Sequence, residues 1–327
     1  MAGPEFLALD EVEYGRVDQV SPQIRRVIAE NPSKFTYRGT GTYLVGRGDV
    51  VVIDPGPRLE SHRRALEQAL DGERVRAILV THCHADHSPL STWLRDVSGA
   101  PTIAFGPHPR PDPAVVADVP ADELEPASDA GDRADAGAPA GVVIEESTDH
   151  DFRPTDAVVD GDVVVSGRGL TITAVHTPGH TSNHTCWAFA EEETLFTGDH
   201  VMGWSTTVVS PPDGDMAAYF ASLRGVADRD DRVLWPTHGP CRTDGRRYVE
   251  SLLVHREERE AAIVRALAAG PTTVPAIVEV LYADVRRELH KPARRSVWAH
   301  LVKLVAEGRA AVEAGGPARL TSVYTAV

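Results

Sequence analysis

The segment Thr81-His82-Cys83-His84-Ala85-Asp86-His87 puts four candidate metal ligands within six residues, directly after the apolar run Ala77-Ile78-Leu79-Val80. In an extended segment, side chains two apart point the same way, so His82 and His84 face one side while Cys83 faces the other. A turn at Ser88-Pro89 then presents Asp86 and His87 beside them. Three later segments, Thr177-Pro178-Gly179-His180, Thr197-Gly198-Asp199 and Pro236-Thr237-His238-Gly239, each set one good ligand after an apolar run, next to a glycine that lets backbone approach closely. Together the four segments supply five imidazoles and two carboxylates. One histidine at a strand end is an ordinary surface residue; seven ligands spread over four strand ends are not. Imidazole and carboxylate ligands with open positions suit Zn²⁺, with Mn²⁺ or Fe²⁺ as alternatives. Two such ions roughly 3.5–4 Å apart can share a water, bring its pKa toward neutrality and deliver hydroxide to an electrophile.

The elements that must position these residues are legible as alternating short strands and helices. Gly41–Gly46 and Asp49–Asp54 read as a hairpin of buried strands closed by Pro55-Gly56-Pro57, and Arg58–Leu70 suits a surface helix leading to the strand Ala77–Thr81. Strands resume at Ala157–Val159, Val163–Val165, Leu170–Val175, Thr185–Phe189 and Thr194–Phe196; a helix over Met216–Val226 precedes the strand Arg232–Pro236. Between them, residues 107–141 are dense in Pro, Ala, Asp and Glu and read as a long acidic surface insertion, mobile in part. From Gly245 the pattern changes. One long amphipathic helix to Ala269 is followed by helices over Thr273–Tyr282 and Arg294–Glu307. Two short β-like runs then flank Gly315-Gly316-Pro317, which is the outline of a winged helix-turn-helix. The expected division is a catalytic unit over 1–244 and a linker helix plus winged-helix unit over 245–327.

Composition bounds the rest. The chain has 327 residues, 42% hydrophobic and 25% charged, which excludes wholesale disorder and fibrous classes. No apolar run approaches the roughly 18–20 residues that span a bilayer. The amino end lacks a basic, then apolar, secretory pattern, and three widely spaced cysteines make no disulfide framework, so a cytoplasmic setting is expected. Net charge is −15, unevenly placed: residues 245–327 carry 13 basic against 9 acidic side chains, leaving 20 against 39 in the first 244. Such asymmetry suggests modules with different partners.

The full set of segments resembles the metallo-β-lactamase-fold hydrolases, whose motifs run H-x-H-x-D-H, then H, D and H in this order. The resemblance covers most of residues 40–240 and implies an α+β fold, a four-layer αββα sandwich, here with a small C-terminal winged-helix domain. It also implies that His82, His84 and His180 bind one metal and Asp86, His87 and His238 a second, with Asp199 bridging. Two divalent ions, two carboxylates and a bridging hydroxide then leave one net positive charge, which attracts a phosphodiester or the oxyanion of an ester or thioester. Asp86 is the expected catalytic residue, orienting the nucleophilic hydroxide and handling its proton.

The stretch from Thr197 to Leu223, together with the C-terminal module, resembles the β-lactamase-like protein 2 subfamily. That resemblance implies two substrate classes: single-stranded RNA, as in an endoribonuclease, or an acyl-carrier or coenzyme A-type thioester. The RNA reading, taken first, rests on the basic cluster Arg286, Arg287, Lys291, Arg294 and Arg295. The acidic catalytic unit opposes it. The alternative, thioester reading draws on Trp204, Tyr219 and Phe220 as walls of an acyl pocket. A third reading is a winged-helix nucleic-acid-binding regulator with a vestigial metal site. His184, Ser205, Thr206 and Thr207 are the candidate substrate contacts; His184 and His200 are equally placed to brace the ligands. Cys83 reads as a buried thiol, and His62, His108, His150, His255, His290 and His300 as ordinary surface or core residues. The oligomeric state stays open, a homodimer included.

Overall fold

The computed structural model describes residues 3–9, 11–110, 119–120, 125–126, 142–143, 148–284 and 287–327. The acidic insertion expected over 107–141 lies mostly outside the described residues, as does Arg286.

Strands β1 (Val17–Gln19), β2 (Ile24–Ile28), β3 (Gly41–Arg47), β4 (Asp49–Ile53), β5 (Arg74–Leu79) and β6 (Thr102–Ala104) build the first sheet. After a short antiparallel pair, β7 (Glu125–Pro126) with β8 (Val142–Val143), β9 (Asp156–Ala157) joins it beside β6. β1 to β4 meander antiparallel, whereas β4, β5, β6 and β9 run parallel. The second sheet holds β10 (Val163–Val165), β11 (Ile172–His176), β12 (Thr185–Phe189), β13 (Thr194–Gly198) and β14 (Val233–Pro236), antiparallel except for the last pair. A parallel pair needs a crossover. Helices α1 (Glu60–Ala69), α2 (Leu90–Ser98) and α3 (Met216–Ala227) supply those between β4 and β5, β5 and β6, and β13 and β14.

The period-2 pattern decides the layers. Tyr43, Val45, Val51 and Ile53 point to the space between the sheets, where they meet Trp187, Phe189, Phe196 and Trp235. Their neighbours Leu44, Val50 and Val52 point outward and are covered by Leu66 of α1 and Leu90 and Leu94 of α2. On the other sheet Cys186, Ala188 and Leu195 point outward, under Tyr219 and Leu223 of α3 and Tyr248 and Leu252 of α4 (Gly245–Ala268). The result is the four-layer αββα sandwich of the α+β class. No helix among the described residues is long and apolar enough to cross a membrane.

The C-terminal module follows α4. Helices α5 (Val274–Leu281) and α6 (His290–Ala306) pack with a three-stranded sheet in the order β15-β17-β16, formed by β15 (Thr272–Thr273), β16 (Ala310–Val312) and β17 (Val323–Ala326). Its own core joins Ile263 and Leu267 of α4 to Ile277, Val297, Trp298, Leu301 and Tyr324. α6 starts four residues before the expected Arg294, because Pro292 falls in its first turn, where a missing N–H costs nothing.

Candidate metal centre

Every expected ligand stands just beyond the C-terminal end of a strand, and all these ends lie on one edge of the sandwich. β5 runs into the loop bearing His82, His84, Asp86 and His87; β11 leads to His180, β13 to Asp199 and β14 to His238. The sheets are stitched together at this edge, with Thr185 N–H donating to Thr81 O at 2.8 Å and Gly41 N–H to Thr237 O at 2.9 Å. Close approach here demands glycine. A Cβ on Gly198, whose φ is +50°, would lie 2.6 Å from His184 Nε2, and one on Gly179, φ +143°, would lie 2.4 Å from the Tyr219 Cα.

Three nitrogens converge first: His82 Nε2 lies 3.0 Å from His84 Nδ1, which lies 3.2 Å from His180 Nε2. A second group forms beside it, with Asp86 Oδ2 at 3.4 Å from His87 Nε2 and 3.1 Å from His238 Nε2. Asp199 stands between them. Its Oδ1 is 3.5 Å from His238 Nε2 and 3.7 Å from His87 Nε2, and its Oδ2 is 3.9 Å from His180 Nε2. Cys83 turns the other way, as expected: its thiol faces Gly106 O and the Asn183 amide, and burial pushes its pKa up to about 12, leaving it no nucleophile.

The outer nitrogens of four of the five rings are fixed by acceptors. His82 Nδ1 donates to Thr81 Oγ1 at 3.1 Å, His87 Nδ1 to Asp54 Oδ2 at 2.9 Å, His180 Nδ1 to Val208 O at 2.7 Å and His238 Nδ1 to Gly39 O at 3.3 Å. The inner nitrogens of these four are thereby left with their lone pairs aimed into the shared space, the arrangement a cation needs. His87 Nε2, His238 Nε2 and Asp199 Oδ1 are buried there and find no well-directed hydrogen-bond partner. The electrostatics agree. Burial lowers the basicity of His87 and His238, yet Asp86 and Asp199 outweigh it and raise them to about 10 and about 9. Burial would also raise Asp86, but His87 and His238 hold it well below the ordinary carboxylate range. These carboxylates gather positive charge, and a divalent ion supplies it without protonating the ligands. The donor set fits such ions.

Two residues that matter escaped sequence reasoning. Asp54, fully buried with φ +49°, accepts from Thr81 N and Thr81 Oγ1 at 2.8 Å each, from Thr237 Oγ1 at 2.9 Å and from His87 Nδ1. One carboxylate thus ties the ends of β4, β5 and β14. Its signal was an acid ending the buried run Val50–Ile53. Thr40 is the other: it donates to Asp86 Oδ2 at 2.9 Å while accepting from the Asn31 amide at 2.8 Å. His108, expected to be ordinary, is buried with its ring 6.4 Å from that of His84.

The expected substrate contacts divide. His184 is fully buried; its Nε2 accepts from Asp199 N–H at 3.2 Å and its Nδ1 donates to Thr177 Oγ1 at 2.8 Å, so it braces the Asp199 turn. Thr207 spends its hydroxyl on Asp199 O and His200 O. Ser205 and Thr206 remain half-buried beside it. His200 is buried against the Tyr219 ring. Tyr219 and Phe220 are core residues under the second sheet, whereas Trp204 stacks on Tyr37 at the surface of the site loops. In the basic cluster Arg295 is only 3% exposed, whereas Lys291 and Arg294 are half-buried and Arg287 is exposed.

Known proteins can now be set beside this geometry. Residues 37–238 match the model of the metallo-beta-lactamase superfamily. The chain belongs to that superfamily. Residues 273–317 match the beta-lactamase associated winged helix domain, the module built by α5, α6 and their small sheet. Among curated superfamily relatives, an atrochrysone carboxyl ACP thioesterase of Aspergillus chevalieri is 28% identical over 313 residues, covering 92% of this chain and 86% of the relative. Another, from Paecilomyces divaricatus, is 30% identical over 77% of this chain and 66% of its own. A beta-lactamase domain protein from Burkholderia ambifaria shares the fold, with a TM-score of 0.73 at 23% identity, covering 97% of this chain and 96% of that one.

Proposed function

We propose that this superfamily member is a metal-dependent thioester hydrolase acting on acyl groups held by an acyl-carrier or coenzyme A-type thiol. The observation that carries the hydrolytic part is Asp199 facing two ligand groups at once, with the inner nitrogens of the ligand histidines aimed between them. The thioester part is supported by relatives named as carrier-protein thioesterases along most of the chain.

In this reading residues 1–244 form the catalytic unit and 245–327 the linker and winged helix. His82, His84 and His180 would hold one ion and Asp86, His87 and His238 a second, with Asp199 placed beside both groups; zinc suits the donor set best. When bound, the ions supply Lewis acidity toward the carbonyl and a water acidified toward neutrality. The remaining work falls to the chain. Asp54 and the backbone acceptors keep the rings aimed, and Thr40, braced by Asn31, keeps Asp86 turned to the attacking water, whose proton it takes. Attack on the thioester carbonyl breaks the C–S bond, releasing the acid and the thiol. All three cysteines are free, which supports a reducing, cytoplasmic setting.

The test is turnover of an acyl thioester and of single-stranded RNA side by side by the zinc-loaded protein and by Asp199→Ala. Thioester hydrolysis that disappears in the variant, with RNA left intact, is expected; RNA cleavage without thioester turnover would overturn the reading.

A further inference from the structure

A cavity of about 220 Å³ lies at the seam between the catalytic sandwich and the C-terminal helices. Its catalytic wall is residues 205–208, and its far wall comes from α4, α6 and Tyr282. In a chain of net charge −15, the side chains around it include Lys34, Arg256 and Arg259, and among the described residues none that lines it is acidic. Phe35, Tyr282 and Leu289 add flat apolar surface. Arg256 is 4% exposed; it donates to Thr207 O and to Ser296 Oγ, and its Nε is buried without a partner. Arg259 lies over the Tyr282 ring at 5.1 Å. The wall is shared with the metal centre: Thr207 Oγ1 donates to Asp199 O, and Val208 O holds His180. Burial, then Arg256 and Arg259, push His255 down to about 4, so the histidine stays neutral beside fixed guanidinium charge.

From these features we infer that the seam cavity is the acyl subsite and that it selects a flat acyl group carrying an anionic oxygen remote from the thioester, with Arg259 and Lys34 as its recognition residues. Apolar walls with a few convergent cations are what such a group requires. The cavity has room for a ring, and a single stretch of backbone, residues 205–208, stands between it and the candidate metal ligands, with Thr207 Oγ1 on Asp199 O and Val208 O on His180. The inference deepens the thioesterase reading and rests on it for the reaction, though the binding arm below does not.

The experiment uses the full, zinc-loaded protein with benzoyl and 4-carboxybenzoyl thioesters of N-acetylcysteamine, and calorimetry of the free acids benzoate and terephthalate. Both acids offer one carboxylate to the metal centre, so their difference reads the cavity. The wild type should prefer the carboxybenzoyl substrate about tenfold in kcat/KM, mostly through KM, and bind terephthalate more tightly than benzoate by a similar factor. In Arg259→Leu both ratios should fall toward one; Arg259→Lys should recover part of them, and Lys34→Met, on the opposite wall, should lower them without touching α4. Ratios near one in the wild type, or unchanged in both Arg259→Leu and Lys34→Met, overturn the inference, as does binding of 4′-phosphopantetheine in the cavity without discrimination between the acids. If neither thioester is hydrolysed, the thioesterase reading fails, while the acid-binding ratio still decides the subsite.

Discussion

The two sheets contribute to the metal centre in different ways. The first sheet delivers four candidate ligands from a single loop, His82 to His87, so their relative placement is largely local. The second delivers His180, Asp199 and His238 one at a time, from three loops that only the strand order β11-β12-β13-β14 brings side by side. The local group needs little to hold its spacing, yet it needs Asp54 from the neighbouring strand to aim His87. The dispersed group is held by backbone: Val208 O on His180, Gly39 O on His238, and His184 accepting from Asp199 N–H. A loop can gather ligands cheaply, but a bridging position between two groups has to come from the opposite sheet.

The sharpest way to break this comparison is to remove the one second-sheet side chain that faces both ligand groups. Asp199→Ala should cost on the order of 10³-fold in kcat and lower bound metal by at least one equivalent, while His238→Ala, which touches one group, should leave the other ion in place. Metal analysis on both variants checks it; equal loss in the two would mean that the halves are not separable.

A smaller effect tests how the local loop depends on its brace. Asp54→Asn keeps the shape but removes the charge that faces His87 Nδ1, and should weaken metal binding about 10–100-fold by competition with a chelator. A wild-type affinity would show that the loop aims itself.

The smallest contrast lies outside the site. Glu260 of α4 is a buried hub accepting from Lys303 at 2.8 Å, Arg309 at 2.6 Å and His300 at 3.4 Å. Burial opposes ionisation, but these partners win and bring the carboxyl from its ordinary 4.5 down to about 2. A depressed folded pKa means stability that is complete above pH 4.5 and lost as pH falls toward 2. Glu260→Gln should therefore destabilise by about 1 kcal/mol at neutral pH, discounted for solvent screening, with the difference shrinking across that window and metal content unchanged. Denaturant titrations from pH 7 to pH 3 would read it; a constant difference would remove the titration account.

Much of this was legible because it is periodic or clustered. The apolar runs Gly41–Gly46 and Asp49–Asp54 marked a buried hairpin, which became β3 and β4, and the ligand cluster after Ala77–Val80 marked the end of β5. β2 was not legible, since Arg25 and Arg26 interrupt its apolar run. In the fold both are nearly buried, Arg25 against Glu73 at 3.0 Å and Arg26 reaching Gly239 O. Partners so far apart in sequence leave no local pattern. The same reason hid Thr40, whose value lies in a contact 46 residues away, and misdirected Tyr219 and Phe220, aromatics near a ligand that pack into the core instead.

Residue type and local spacing by themselves determined the candidate ligand set of this protein: imidazole and carboxylate at strand ends, four of them on one loop, with glycines where backbones must pass closely. Only the tertiary structure decided which nitrogen each ring turns inward, that Asp54 and His184 serve as braces, and that the positive seam beside Thr207 exists at all. Ring orientation and cavities are set by acceptors and walls contributed from distant parts of the chain, and no local pattern records them.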